Sequence, residues 1–245
     1  MARVFRCDLH IHTCLSPCAE LDMYPRSLVA QARAMNLDII AICDHNSSEN
    51  IGYVQKAAKG QMLTVLPGME ITSSEEVHVL ALFDSLELLI DLQEVIYAHL
   101  KGANDEDLFG CQAIVNERDE VEGFNDHLLI GATDLPLKPL IDTIHERKGL
   151  AIASHIDRES FSVISQLGFI GEDMDFDALE ISARTGLEEA RRRFPELSCR
   201  TFVVSSDAHF VRDIGRACTE IVMEAPTLDE LRKAFERRAG RFVRE

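Results

Sequence analysis

Arg3-Val4-Phe5-Arg6-Cys7-Asp8-Leu9-His10-Ile11-His12 opens the chain with an apolar run that ends in two histidines one residue apart. Alternate residues of a strand point the same way, so a strand over 3–9 aims His10 and His12 at one point just past its end. Runs rich in Val, Ile and Leu recur at 38–43, 62–71, 77–83, 149–154, 178–182 and 201–206 and read as further buried strands. Helical patterns lie between most of them. At 25–36, Pro25 suits a first turn, and Leu28, Val29, Ala32 and Met35 form an i, i+1, i+4, i+7 stripe. Other helical patterns cover 49–59, 136–147, 158–168, 185–194 and 227–238; Thr227 opens the last, with Glu230 at capping-box spacing. Strands alternating with helices predict an α/β fold with a largely parallel sheet, and seven strands in 245 residues predict a barrel.

Residues 84–135 break this rhythm with an apolar-acidic helix from Leu86 to Leu100, followed by polar sequence. They read as a helical excursion between strands four and five, either a lid or a solvated cap. No Pro/Gly-rich linker interrupts the chain, so 1–245 reads as one domain. The net charge of −17 argues against gripping long duplex nucleic acid, which requires many Lys and Arg on its phosphates. Short oligonucleotides and small phosphorylated molecules remain compatible. Seven cysteines, an odd number, without an apolar leader point to reduced thiols and a cytoplasmic location, and no segment could span a bilayer. Oligomeric state is not readable from the sequence.

The residues able to carry chemistry fall at the predicted strand ends. Strand one runs into His10 and His12, strand two into Asp44-His45, and strand three into Gly68-Met69-Glu70. Strand four begins at His78, strand five ends in Ser154-His155, and strand seven ends in Ser206-Asp207-Ala208-His209. In a parallel barrel these ends share one rim. Six of the nine histidines lie there, whereas His99, His127 and His145 lie in the excursion or its flanking helix and read as structural. Imidazoles with carboxylates suit zinc, manganese or iron.

Asp8-Leu9-His10-Ile11-His12-Thr13, Cys43-Asp44-His45-Asn46, Pro67-Gly68-Met69-Glu70-Ile71, Val77-His78-Val79-Leu80, Ser154-His155 and Ser206-Asp207-Ala208-His209 together resemble the motifs of the PHP (polymerase and histidinol phosphatase) superfamily. The resemblance runs in order from residue 7 to 209 and implies a distorted (β/α)7 barrel. It also implies a metal-dependent phosphoesterase with two to three divalent ions. By motif, the first ion would take His10, His12, Glu70 and Asp207, and the second would take Glu70 as a bridge with His78 and His155. The third would take His45 and His209, with Cys18 where relatives often carry His, or Asp nearby. His10, His12, Glu70, Asp207 and His209 would form the catalytic set, and His209 or His45 would position or protonate near the leaving group if the third ion were absent. Asp44 would orient a neighbouring ligand. Arg158 and Arg184, on the same rim, would bind phosphate. Two other classes compete: a catalytically silent metal-binding module with a structural or regulatory role, and an amide hydrolase on a related barrel. The latter usually bridges two metals with a strand-end Lys, which this sequence lacks.

Overall fold

The computed structural model describes residues 1–244. Strand β1 (Arg3–Ile11) leads to helix α1 (Pro25–Ala34), β2 (Ile39–Ile42), α2 (Ile51–Ala58), β3 (Thr64–Thr72) and β4 (His78–Leu82). The excursion holds α3 (Leu86–His99), α4 (Glu106–Phe109) and the strands β5 (Ala113–Val115) and β6 (Val121–Phe124). The chain then continues through α5 (Leu137–Glu146), β7 (Leu150–Ala153), α6 (Val163–Leu167), β8 (Ala178–Ile181), α7 (Gly186–Arg193) and β9 (Phe202–Val204). It ends with β10 (Thr219–Met223), α8 (Leu228–Phe235) and β11 (Phe242–Val243).

Nine strands form one sheet in the order β11-β10-β1-β2-β3-β4-β7-β8-β9. The seven expected strands are β1, β2, β3, β4, β7, β8 and β9. They curl until the segment after β9 meets β1, where His12 N–H donates to Ala208 O (3.0 Å). The barrel is nearly closed at this rim. At its other end β10 pairs antiparallel with β1.

Two details differ from the parallel (β/α) repeat. Strand β4 runs antiparallel to both β3 and β7. Only residues 73–77 join β3 to β4, and a parallel return needs a crossover of about a dozen residues or more. The reversal brings the start of β4, and with it His78, to the rim where its neighbours end. The excursion is also not wholly helical, since β5 and β6 form a separate two-stranded hairpin.

Side-chain alternation sorts the core into two clusters. The outer one joins the sheet to helices α1, α2, α3 and α5, through residues such as Ile40, Ile42, Val79, Ala81, Ala151, Ala153, Leu179 and Ile181. The inner one takes the opposite face, including Ile39, Ala41, Cys43, Leu66, Leu80, Leu82, Leu150, Ile152, Ala178 and Val203, with α8 closing one end. Continuing each inward face at period two toward the rim reaches His45, Glu70, His78, Ser154, Glu180 and Asp207. Strand β1 needs a correction to obey the same rule. Phe5, Cys7 and Leu9 face inward but Ile11 faces outward. The register shift between Asp8 and Ile11 exchanges the faces and turns His10 and His12 into the mouth. Gly68 lies on the inner face of β3, where an added Cβ would come within 2.7 Å of Cys43 Sγ and 2.9 Å of a Leu82 methyl. Among the described residues, no helix is long and apolar enough to cross a membrane.

Candidate metal centre

Inward parity for His45, Glu70, His78 and Asp207, the register shift of β1 for His10 and His12, and the turns carrying His155 and His209 bring six histidines and two acids into one largely buried group. His10 Nε2 lies 3.4 Å from Glu70 Oε1 and 3.3 Å from Asp207 Oδ1; His12 Nε2 lies 3.4 Å from Glu70 Oε2 and 3.2 Å from the same Asp207 oxygen. Ligand atoms of these four residues all fall within 4.8 Å of one another. The same Glu70 carboxylate also has His78 Nδ1 at 3.0 Å, His45 Nδ1 at 3.2 Å and His155 Nε2 at 3.4 Å. A further group joins His12, His45 and His209, with the rings of His12 and His209 stacked at 4.1 Å.

The surrounding hydrogen bonds fix which ring nitrogens face the centre. Ser16 Oγ donates to Asp44 Oδ1 (2.6 Å), so it accepts from His12 Nδ1–H (3.0 Å) and from His45 N–H (3.2 Å). Asp44 also accepts from Thr13 N–H and Thr13 Oγ1–H. Glu180 accepts from His10 Nδ1–H (3.0 Å) and from His155 N–H (3.1 Å). With both Nδ1 atoms engaged, the Nε2 lone pairs of His10 and His12 face each other at 3.1 Å beside two carboxylates. Only a positive charge reconciles that arrangement. In its absence the carboxylates draw protons onto the rings. Burial lowers both imidazoles, but Glu180, Asp207 and Glu70 raise His10 well above its ordinary value, and Asp207 and Glu70 raise His12 to about 9. Burial likewise pushes Glu70 up, but His78 and His10 outweigh it and hold the carboxyl well below its usual range.

Buried atoms without a hydrogen-bond partner point the same way. They include His155 Nδ1, and also His45 Nδ1 and Asp207 Oδ1, which make no hydrogen bond although charged neighbours stand 3.2–3.3 Å away. Asn46, His155 and Asp207 also carry positive φ, a strained geometry that concentrates at functional sites. The donor set, with its facing lone pairs and orphaned atoms, fits a divalent metal site.

Cys18 joins none of the ligand groups; it lines an adjoining cavity of about 700 Å³ together with Arg158, Arg184, Phe210 and Arg216. Burial and then His12 lower His209 to about 4, and burial and then His12 lower His45 well below its ordinary value. Both shifts favour the neutral imidazole, the form that ligates a metal. Arg158 reaches Asp207 Oδ2 at 2.6 Å, while Arg184 stands exposed on the cavity wall. The other three histidines have partners elsewhere: His99 with Asp134, His127 stacked on Tyr97, and His145 with Asp177.

Sequence reasoning missed Glu180, Ser16 and Arg216. Glu180 had a signal, an acid inside the apolar run Ala178-Leu179-Glu180-Ile181, which a buried strand carries only when it is paired. Ser16 and Arg216 had none, since their roles depend on contacts that local sequence does not encode.

The comparisons with known proteins agree with this geometry. The chain superposes on the lesion-specific endonuclease PfuEndoQ from Pyrococcus furiosus with a TM-score of 0.77 at 16% identity, over 98% of this chain and 58% of that one. An endonuclease Q complex with a 27-mer duplex substrate bearing an abasic lesion gives 0.76 at 18%, again over 98% and 58%. This chain thus spans under two thirds of the length of either endonuclease. A protein assigned as a metal-dependent phosphoesterase from Bifidobacterium adolescentis gives 0.56 at 20%, over 83% and 87%. A search of curated proteins returns no match. The model for the PHP domain matches residues 8–166, and one described as PHP-associated matches 190–239. The first match takes in β1 to β7 with the ligand candidates His10, His12, His45, Glu70, His78 and His155, so the chain belongs to the PHP family.

Proposed function

We propose that this protein is a metal-dependent phosphoesterase that hydrolyses a small phosphorylated metabolite, a nucleotide or a short oligonucleotide. The observation that carries the reading is the adjacency of the ligand cluster to a cavity walled by Arg158, Arg184 and Arg216. Arg158 pairs with Asp207 and Arg216 with Asp213 in that wall, which leaves the exposed Arg184 and the outer guanidinium edges to meet an anion in a chain of net charge −17.

Two to three ions of zinc, manganese or iron would be held here. His10, His12, Glu70 and Asp207 would hold the first, and Glu70, His78, His45 and His155 the second. His12 and His45 recur in the third group, and each offers one ligand atom. His209 is then the donor that the third site has to itself, and Cys18, which lines the same adjoining cavity as His209, is the proposed candidate to complete it. When bound, such ions lower the pKa of a water and offset charge on phosphoryl oxygens. The protein's own groups do the rest. Arg158 and Arg184 orient the phosphate by forked hydrogen bonds, and Glu180 and the Ser16–Asp44 pair keep the imidazole nitrogens turned inward. Long duplexes stay outside the proposed substrate class on net charge, although a fold relative binds a 27-mer duplex. We read residues 1–245 as one barrel unit and 84–135 as its excursion.

A panel of phosphomonoesters, phosphodiesters and amides, assayed with added manganese, tests the proposal. Hydrolysis of a phosphoester that disappears in Asp207→Ala, with two to three equivalents of metal per chain, is the expected result. Cleavage of amides alone, or no metal uptake, would end the phosphoesterase reading; metal uptake without any turnover would favour the silent module.

A further inference from the structure

The cluster and the arginines read a phosphoryl group, and neither reads the rest of a substrate. The loop over 155–162 is placed to do so. It leaves β7 at His155, turns so that Arg158 N–H donates to His155 O (3.0 Å), and closes where Ser162 Oγ–H donates to Arg158 O (2.8 Å). A helix is predicted from residue 158, but α6 begins only at Val163. The five residues before it form a bridge across the mouth of the cluster. Arg158 reaches down from this bridge to Asp207. Phe161 stacks on the ring of His78, with centroids 4.6 Å apart and planes 18° from parallel.

Phe161 has φ of 57°, a conformation that a bulky side chain rarely adopts. Its carbonyl accepts the N–H of His78 at 2.9 Å, which ties the strained residue to the start of β4. A ring serving only to cover His78 would be expected to bury itself. Phe161 instead remains 41% exposed although one face packs against a ligand candidate. His78 is itself 3.0 Å from Glu70, so the Phe161 ring lies one imidazole away from the centre of the cluster. Backbone strain of this kind recurs at ligand clamps, and exposed aromatic faces bind planar groups because every base has a π-face.

Building on the phosphoesterase reading, we propose that Phe161 selects substrates carrying a planar aromatic group of the nucleobase type. It stacks that group on its outward face while the phosphoryl group occupies the cluster. Its inward face keeps His78 in place, so the residue acts on specificity without touching the reacting atoms.

Phe161→Leu keeps the apolar bulk and removes the π-face. Manganese-loaded wild-type and variant proteins would be compared on a nucleoside monophosphate and on glycerol 2-phosphate, with metal content and calorimetric nucleotide binding measured alongside. We expect a roughly tenfold loss of kcat/KM and affinity for the nucleotide, less than about a twofold change for glycerol phosphate, and recovery in Phe161→Trp. Metal content should stay unchanged. Equal losses on both esters with reduced metal content would make Phe161 a mere brace for His78 and overturn the proposal. Unchanged nucleotide kinetics and binding, or no nucleotide binding by the wild type, would overturn it too. Should the wild type hydrolyse neither ester, the phosphoesterase reading falls, while the binding comparison still decides the role of Phe161.

Discussion

Glu180→Gln isolates the contribution of a side chain that touches no proposed ion. Both carboxylate oxygens of Glu180 lie near His10 Nδ1, at 3.0 and 3.2 Å, and the nearer one also accepts His155 N–H at 3.1 Å. Gln has the same shape but must put an NH2 group at one of these two places. If the NH2 takes the nearer place, it meets two donors. If it takes the farther place, it still abuts Nδ1–H and the anionic charge is gone. Either orientation makes Nδ1 a poorer donor and favours the tautomer that puts a proton on Nε2, where a lone pair is needed. Loss of such a partner typically lowers metal affinity about 10- to 100-fold. That corresponds to about 1.4–2.7 kcal/mol, and two compromised hydrogen bonds place the expectation in the upper half of the range. Titration of zinc against a fluorescent chelator, with far-UV circular dichroism to verify folding, measures it directly. A folded Glu180→Gln protein that binds its first zinc within about twofold of wild type would show that Glu180 does not set the state of His10.

Two further predictions concern stability. In metal-free protein, His12 has its folded value raised from 6.5 to about 9, so its contribution is complete below pH 6.5 and is lost as pH rises through 9, on the order of 3 kcal/mol. His209 has the opposite sign: its value is lowered to about 4, and its contribution is present above 6.5 and lost as pH falls. Between pH 4 and 6.5 the His209 gain is offset by burial of Asp8, so thermal melts in chelator should show their clear loss from pH 6.5 to 9, and a flat profile over that range would contradict the assignment. Asn50→Ala should cost on the order of 3 kcal/mol in urea unfolding. The amide of Asn50 donates to Thr13 Oγ1 (2.9 Å) and Ala113 O (3.1 Å) and accepts from Val115 N–H (2.9 Å), so its loss leaves buried groups of β5 unpaired.

How much was legible in the sequence can be traced to particular elements. The seven barrel strands are apolar because both faces are buried, and such runs announce themselves. The direction of β4 was legible too, from the five residues that separate it from β3, but a rule of strand–helix alternation hides that signal. Strand β10 alternates buried and half-buried residues, and β6 is mostly exposed, so neither carries the apolar density of its neighbours. The ligand candidates were readable because histidines recur at the strand ends that share one rim. What turns those histidines was not readable. The register shift in β1 that reverses His10 and His12, the Ser16–Asp44 pair and the bridge carrying Phe161 all arise from contacts between distant segments.

Asp8 shows what such contacts cost. It sits two residues before His10, wholly buried, and accepts Ser206 N–H on one oxygen and Gly215 N–H on the other, both at 2.9 Å. One carboxylate thereby pins both ends of the loop that carries Asp207 and His209. Gly215 is needed at the second end, since its φ is +74° and a Cβ there would come within 2.8 Å of Met35. Burial raises Asp8 to about 6 despite its two backbone donors. A carboxyl raised on folding contributes stability below its unfolded value and loses it as pH rises through the folded one. At pH 7 the ionised group therefore opposes folding, by about 3 kcal/mol on the linkage relation. A protein shaped for stability alone would fill this position with an apolar residue, which could not accept the two N–H groups. The chain keeps the acid at that cost because β1 and the loop after β9 meet only at the rim, and Asp207 must stand within ligand distance of His10 and His12 for the centre to form.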